Sequence, residues 1–181
     1  MATRVILTYA DYAAIPADGR RYELYEGEIF VTPAPTTWHQ RVIRNLFDIL
    51  HHYVVALGLG EVLFAPVDCI LNDTTVVQPD IVFVEMTRLS AISARGIEGP
   101  PTLAVEVVSD STRQIDRSVK FQLYARHGVP YYWIVDPASR TIDAFVLRNG
   151  VYQLAARLAG TEPAALLPFL DLLIDPASLW P

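Results

Sequence analysis

The sequence contains a single cysteine, Cys69, among its 181 residues. One thiol cannot form a disulfide within the chain, and such chains are typical of reducing compartments, so we expect a cytoplasmic protein. No apolar run reaches the roughly 18 residues that a membrane-spanning helix needs. The first residues also lack the long apolar region of a signal peptide. These absences predict a protein without a membrane partner.

Basic residues are scarce relative to acidic ones. The 14 Lys and Arg residues face 20 Asp and Glu residues, which gives a net charge of −6. Proteins that coat nucleic acid non-specifically normally carry a basic excess, so the balance argues against that class. A nuclease is still compatible with this charge, because a site built from several carboxylates is itself acidic. A dimer could also gather scattered arginines into a local basic rim.

Two hydrolase signatures are missing as well. No His/Cys spacing fits a zinc site, which disfavours a zinc hydrolase. No G-x-S-x-G elbow is present to expose a nucleophilic serine. Ser111 or Thr112 is instead predicted to cap a helix. His39, at the start of another predicted helix, is interpreted as a packing or capping residue rather than a phosphate contact.

The remaining pattern is that of one folded domain spanning residues 1–181. With 52% hydrophobic and 19% charged residues, the composition is that of a globular protein, and no repeat or linker divides it. Periodicity and turn residues predict helices and strands in alternation, which indicates an α/β fold with a mixed central β-sheet flanked by helices. Helices are predicted over 8–14, 37–57, 86–94 and from 111 or 112 to about 127. Strands are predicted over 22–25, 28–31, 61–71, 76–84, 102–108, 130–135, 141–147 and from 151 onward, with 22–31 and 61–84 as hairpins.

Two of these apolar strands each contain one acidic residue. Asp80 lies near the start of strand 76–84, and Glu106 lies at the centre of strand 102–108. A buried carboxylate costs several kcal/mol or more unless it is paired, protonated or bound to a cation. One interpretation is that both acids face a shared cation, and oxygen ligands favour Mg²⁺ or Mn²⁺. The alternative is that each acid pairs separately with an arginine, or that Asp80 lies at an exposed strand end.

The two acids, with Pro79 before the first, resemble the core of PD-(D/E)XK nucleases. That superfamily places a lysine two residues after the second acid, whereas this chain has Val108 there. A substitute is available on the following helix, where Lys120 shares one face with residues four positions away on either side, Asp116 and Tyr124. The alternative is a solvated lysine paired with Asp116.

A longer series of motifs resembles the Uma family of endonucleases, which is assigned to the same superfamily. The likeness covers most of the chain and is specific because the motifs occur in order. They are Tyr22-Glu23-Leu24, Gly27-Glu28, His39-Gln40, Val77-Gln78-Pro79-Asp80, Gly96-Ile97, Val105-Glu106-Val107, Ser109, Ser111, Thr112, Asp116, Lys120, Tyr124, Gly128-Val129, Tyr132-Trp133 and Val135-Asp136-Pro137.

The resemblance implies a restriction-endonuclease-like core with N-terminal hairpin additions. It further implies that Asp80, Glu106 and the carbonyl of Val107 hold Mg²⁺ or Mn²⁺, while Lys120 orients the attacking water or offsets charge on the phosphate. Two other residues receive candidate catalytic roles. Glu23 resembles a further acid on the metal or is a surface carboxylate beside Arg20 and Arg21, and Gln78 contacts the nucleophile or is a strand-edge amide.

The predicted function is therefore a metal-dependent DNA endonuclease that acts as a homodimer, because cutting two strands needs two sites. Two alternatives stay open. The first is a catalytically silent binding or regulatory module of the same fold, favoured by the displaced lysine and the acidic charge. The second is a metal-dependent hydrolase of small phosphorylated or sugar substrates that uses the same carboxylates.

Overall fold

The computed structural model describes residues 5–109 and 112–181. Ser111, one of the two predicted helix caps, lies outside these residues. The α-helices are α1 (Tyr9–Ala13), α2 (Thr37–Leu57), α3 (Phe121–Arg126) and α4 (Pro176–Leu179). The strands are β1 (Arg21–Tyr25), β2 (Glu28–Thr32), β3 (Gly60–Phe64), β4 (Cys69–Asn72), β5 (Thr75–Val77), β6 (Ile81–Glu85), β7 (Ile92–Ser93), β8 (Gly96–Glu98), β9 (Leu103–Val107), β10 (Tyr131–Asp136), β11 (Thr141–Arg148), β12 (Val151–Leu158), β13 (Ala164–Leu166) and β14 (Phe169–Ile174).

The strands form two mixed six-stranded sheets and a small hairpin of β13 and β14. The central sheet has the order β12-β11-β10-β9-β6-β3, with β9 and β10 parallel and the other pairs antiparallel. The second sheet, here called the hairpin sheet, has the order β2-β1-β5-β4-β8-β7. This arrangement confirms the predicted mixed α/β class, although the strands divide between two sheets rather than one.

Helix α2 matches its predicted bounds because its sequence specifies both ends and one buried face. The Thr36 hydroxyl accepts a hydrogen bond from the backbone N–H of His39 at 3.2 Å, which caps the first turn. Gly58 ends the helix with φ of +62°, a conformation that glycine adopts without steric cost. The buried positions repeat at helical spacing and pack on one face of the central sheet. They are Val42, Ile43, Leu46, Leu50 and Val54.

The predicted hairpin over residues 61–84 is confirmed in its antiparallel pairing, since β4 pairs with β5 across the turn at 72–75 and β3 pairs with β6, but the prediction of two continuous strands is wrong. Each of its two strands is interrupted, by Pro66 and by Pro79, and proline has no N–H to continue a ladder. The chain therefore leaves the central sheet after β3, forms the β4–β5 pair of the hairpin sheet, and returns as β6. The predicted helix over 86–94 is likewise a short 3₁₀ helix, Met86–Ala91, followed by strand β7.

The central sheet carries an apolar layer on each face. Val105 and Val107 of β9 point toward α2, whereas Ala104 and Val108 belong to the layer that includes α3 and residues of the hairpin sheet. Because side chains alternate along a strand, Glu106 shares the second face. It is 3% exposed, so the second layer contains a buried acid.

Among the described residues, no helix is both long enough and apolar enough to cross a membrane.

Candidate active site

Asp80, which directly precedes β6, lies next to Glu106 of β9, because β6 and β9 are adjacent antiparallel strands. Ile81 of β6 pairs with Val105 of β9, so the register continued by one residue sets Asp80 opposite Glu106. The backbone N–H of Val107 donates to Asp80 Oδ2 at 2.8 Å, which ties the two strand ends together. Asp80 is only 6% exposed, so it does not lie at an exposed strand end. Strand pairing thus brings both acids to one cavity.

Lys120 reaches the same place from the helix. Its Nζ atom lies 2.9 Å from Glu106 Oε1, 3.2 Å from Glu23 Oε1 and 3.9 Å from Asp116 Oδ1. The residue is 5% exposed, so the alternative of a solvated lysine paired only with Asp116 is wrong. The Tyr124 hydroxyl donates to the same Glu106 oxygen at 2.7 Å. The predicted helix face is therefore the face that points at Glu106.

The helix that carries Lys120 has an unusual first part. Residues Ile115–Lys120 are π-helical and lead directly into α3. A π-turn accommodates one extra residue and often occurs at functional sites. The hydroxyl of Tyr132 donates to the backbone carbonyl of Asp116 at 3.0 Å, which links this turn to the central sheet. The wide turn is thereby held in position beside the buried acid.

Glu23 is buried rather than a surface carboxylate. It is 2% exposed on β1, and both of its oxygens are occupied. Oε1 accepts from the backbone N–H of Gln78 at 2.6 Å and contacts Lys120, while Oε2 accepts from the hydroxyls of Tyr25 at 2.7 Å and Thr32 at 3.1 Å. These contacts make Glu23 an anchor for the Lys120 ammonium.

Gln78 lines the cavity, but its side chain is directed into a hydrogen-bond network of its own. Its Oε1 accepts from Nε of Arg21 at 3.1 Å, and its Nε2 donates to Asp68 Oδ1 at 2.8 Å and to the Tyr12 hydroxyl at 3.2 Å. The network joins β1 to the segment between β5 and β6. Through its backbone N–H, Gln78 also fixes Glu23.

The burial of these charges changes their proton affinities. Burial raises the pKa of Glu106 well above its ordinary value, with Lys120 opposing the change and Asp116 and Asp80 adding to it. Burial also raises the pKa of the Asp116 carboxyl. For Lys120, burial opposes the charged form, but Glu106 and Glu23 outweigh it and raise the pKa well above the usual range. Lys120 is therefore a fixed positive charge among acids that repel one another.

The donor chemistry of the cavity fits a hard divalent cation. The cavity has a volume of about 260 Å³, and the charged residues that line it include Asp80, Glu106, Lys120 and Asp116. Among the residues that the structure describes, the hydrogen bonds of the two strand acids use Oδ2 of Asp80 and Oε1 of Glu106, which leaves one oxygen on each. In the same part of the chain, no three His, Cys, Asp or Glu side chains form a metal-binding group. The set that fits is thus two carboxylates with a backbone carbonyl, completed by water.

His39, which the sequence analysis interprets as a packing or capping residue, lines the cavity. His39 Nε2 lies 3.3 Å from Asp80 Oδ2, with the two side chains 11% and 8% exposed. Its pKa is raised: burial lowers it, but the Asp80 carboxylate and the backbone of Val107 outweigh that effect. The position of His39 in the sequence could have indicated this placement. A residue in the first turn of a helix that packs on a sheet lies close to the ends of that sheet's strands.

Comparison with known protein families gives a match over nearly the whole chain. The model of the Uma2 family, described as "Putative restriction endonuclease", matches residues 9–177. A search of curated proteins finds no match.

The fold also matches a solved structure. A crystal structure at 1.96 Å resolution of a putative nuclease belonging to DUF820, from Anabaena variabilis ATCC 29413, superposes with a TM-score of 0.78. It is 17% identical in sequence, and the match covers 96% of this chain and 97% of that chain. At this identity the likeness establishes a common fold.

Proposed function

This chain belongs to the Uma2 family, and we propose that it is a divalent-metal-dependent endonuclease that hydrolyses phosphodiester bonds in DNA. One observation carries the proposal: a buried lysine ammonium lies 2.9 Å from Glu106, which stands opposite Asp80 in the same cavity. A cation and paired carboxylates at one point are the groups that phosphoryl transfer to water requires.

Each residue has a proposed part in this reaction. Asp80, Glu106 and the carbonyl of Val107 would hold Mg²⁺ or Mn²⁺, which when bound lowers the pKa of water and offsets charge on the phosphate. Lys120 orients the attacking water or stabilises charge that develops on phosphorus. Its ammonium is available for this because it is already fixed inside the cavity.

Two further residues support Lys120 in this proposal. Glu23 positions the ammonium, since its other contacts leave it fixed between Tyr25, Thr32 and the Gln78 backbone. Gln78 positions Glu23 through its backbone N–H and joins Arg21 to the cavity wall through its side chain. Both are positioning residues rather than groups that touch the reacting atoms.

We further propose that the protein works in the cytoplasm as a homodimer. Cleavage of both strands of a duplex requires two active sites, and a dimer would supply them. A dimer would also bring together arginines that are scattered over an acidic chain with a net charge of −6.

A catalytically silent binding module is the second candidate. It is favoured by the engagement of Lys120 with Glu106 and Glu23, because a lysine neutralised by two acids is stable without any substrate. The same contacts are expected of a nuclease before metal and DNA bind. The two functions differ in that a nuclease cleaves DNA, whereas a silent module does not.

The test is cleavage of plasmid, short duplex and single-stranded DNA with Mg²⁺, Mn²⁺ or EDTA. We expect cleavage that EDTA abolishes, that Asp80→Ala abolishes, and that the exposed-acid control Asp171→Ala preserves. Metal binding without cleavage of any nucleic acid would favour the silent module or a hydrolase of small phosphorylated or sugar substrates. Equal cleavage by Asp80→Ala and the unmodified protein would refute the proposed site.

A further inference from the structure

Arg21 is a second cation in the wall of the cavity, and it forms no ion pair with a described residue. In the part of the chain that the structure describes, it is also the one arginine that lines this cavity. Lys120, by contrast, is engaged by Glu106, Glu23 and Asp116. The cavity thus contains one ammonium that is bound to acids and one guanidinium that is not.

Hydrogen bonds to Gln78 orient this guanidinium. The Nε atom of Arg21 donates to the side-chain oxygen of Gln78 at 3.1 Å, and its Nη2 atom donates to the backbone oxygen of Gln78 at 3.0 Å. Gln78 is itself held, because its Nε2 donates to Asp68 Oδ1 at 2.8 Å and to the Tyr12 hydroxyl at 3.2 Å. Both acceptors of Arg21 are neutral amide oxygens, so they fix the planar group without cancelling its charge.

The other edge of the guanidinium has the geometry that binds phosphate. An arginine presents its N–H donors in one plane, and the edge formed by Nε and Nη2 faces Gln78. The remaining donors, on Nη1 and Nη2, form a second edge that can donate to two oxygens of one phosphate. Arg21 is therefore held in place while it keeps a bidentate anion-binding edge.

The cavity wall next to Arg21 is free of acids. Residues 32–36 adjoin it because β1 and β2 pair there, and this segment lines the cavity without an Asp or Glu. Burial and the positive charge of Arg21 both lower the pKa of His39, although Asp80 and the backbone of Val107 outweigh them. The charge of Arg21 therefore acts within the cavity.

An acidic cavity needs such a group to hold a nucleic-acid strand. Asp80, Glu106 and Asp116 line it and repel a polyanion until a cation offsets them. The proposed metal and Lys120 are both assigned to the scissile phosphate. A strand that places one phosphate in the cavity brings its neighbour beside it, and Arg21 has the charge and the donors to bind that neighbour.

We propose that Arg21 binds the phosphate next to the scissile one and thereby holds the substrate strand in the cavity. The proposal rests on the proposed function for its ligand, a DNA strand. The contact is present before hydrolysis as well as during it, so it contributes to binding of the strand rather than to the chemical step.

Binding of a fluorescein-labelled DNA duplex to the full chain, measured by anisotropy in EDTA at several salt concentrations, tests this contact. Arg21→Ala should weaken binding by about 10-fold. It should also reduce the slope of log K against log salt concentration by about 0.9, the amount expected for one phosphate contact. The matched control Arg148→Ala removes an exposed arginine that does not line the cavity and should change neither quantity.

Two further variants separate the charge of Arg21 from its hydrogen bonds to Gln78. Arg21→Lys keeps a positive charge without the planar edge, so it should restore the salt slope and only part of the affinity. Arg21→Gln has no charge and should show the reduced slope, which keeps the test decisive if Arg21→Ala does not fold. Equal slopes in Arg21→Gln and the unmodified protein, or equal losses in Arg21→Gln and Arg21→Lys, would overturn the proposal.

Cleavage kinetics with Mg²⁺ or Mn²⁺ distinguish this proposal from the proposed function. Arg21→Ala should raise KM by about 10-fold with a much smaller change in kcat. An unchanged KM, or a loss confined to kcat, would overturn the Arg21 contact and leave the nuclease standing. DNA binding with an Arg21-dependent salt slope but no cleavage would refute the nuclease and support the contact. A chain that binds no DNA would refute both.

Discussion

Replacement of Lys120 by alanine should impair both stability and catalysis. On the sequence alone, a lysine on a helix face is expected to leave the melting temperature almost unchanged when it is removed. The structure changes that expectation, because Lys120 is buried and contacts two carboxylates that are 3% and 2% exposed, Glu106 and Glu23. Its loss leaves both acids in an apolar layer without their cation.

The size of the effect follows from this burial. Removal of one partner of a buried ion pair costs about 3–5 kcal/mol, a large part of the roughly 5–15 kcal/mol by which a domain is stable. For a chain of this length, that cost corresponds to a fall in melting temperature of roughly 6–20 °C. The exposed-cation control Arg148→Ala should change stability by no more than about 0.5 kcal/mol. Thermal melting and urea unfolding measure both variants.

The loss of unfolding free energy in Lys120→Ala should also depend on pH. Burial raises the pKa of Glu106 in the folded state above its unfolded value of 4.5, so its contribution is full below that value and is lost as pH rises through the folded pKa. Lys120 opposes this rise, and its removal therefore raises the folded pKa further. We expect Lys120→Ala to lose more stability relative to the unmodified protein at about pH 8 than at about pH 5.

Catalysis provides the second readout. At a temperature where both proteins are folded, Lys120→Ala should cleave DNA about 100-fold more slowly or worse, as expected for loss of a charge-stabilising donor. Adding Glu106→Gln to Lys120→Ala should recover part of the stability but none of the activity. A Lys120→Ala variant that melts with the unmodified protein, or that cleaves at its rate, would refute the reasoning.

Two further substitutions test the hydrogen bonds and backbone around the site. Tyr124→Phe removes the hydroxyl that donates to Glu106 and should cost about 1.5–3 kcal/mol in urea unfolding, more than the roughly 0.5–1.5 kcal/mol for Tyr152→Phe, whose hydroxyl donates to a neutral backbone carbonyl. An equal or larger loss for Tyr152→Phe would contradict a charged acceptor. Gly60→Ala would set a Cβ 2.1 Å from the Val84 carbonyl oxygen at φ of +148°, so it should destabilise the protein more than Gly58→Ala, where φ is +62° and the space is open. Equal unfolding free energies for the two glycine variants would show that β3 shifts to relieve the clash.

The elements that the sequence predicted well are those defined by local signals. Helix α2 has a cap, one apolar face and a terminal glycine, and it was found within its predicted bounds. The hairpin of β1 and β2 likewise follows from alternation around Glu26-Gly27, where both residues have positive φ. Helix caps, apolar periodicity and turn residues are all local features of the sequence. They can therefore be identified without knowledge of the rest of the fold.

The wrong predictions concern segments whose conformation depends on tertiary packing. Residues 61–84 read as two long strands because apolar alternation continues past Pro66 and Pro79, but the chain changes sheet at each of these points. The π-turn at Ile115–Lys120 has no marker in the sequence either. Both features depend on what the segment packs against rather than on its own residues.

The candidate site shows the same division between local and distant information. An acid in an apolar strand is a local anomaly, so Asp80 and Glu106 were identified from the sequence. Glu23 and His39 are ordinary polar residues in their own segments, and their importance comes from partners far along the chain. Their roles become visible only when β1 and α2 are packed beside the central sheet.

The displaced lysine illustrates why spacing alone is an incomplete guide to such sites. Position 108, where the superfamily motif has its lysine, is a buried valine in the apolar layer around Glu106. The ammonium arrives instead on a side chain from the neighbouring helix and still comes within 2.9 Å of Glu106 Oε1. What the proposed chemistry requires is the position of the charged atom, and a long flexible side chain can supply it from more than one backbone element.

The amino-acid composition singles out Lys120, although the motif spacing does not. Of the 14 basic residues other than histidine, 13 are arginines, and Lys120 is the one lysine in the chain. Arginine's planar fork suits bidentate pairs such as Arg113 with Asp136, whereas the compact ammonium of lysine is a point charge with three donors. A pocket between Glu23, Glu106 and Asp116 suits the compact charge, because oxygens from three separate residues lie 2.9–3.9 Å from one nitrogen atom. All the remaining Lys/Arg positions of the chain are arginine, and its only lysine lies where three separate acids meet.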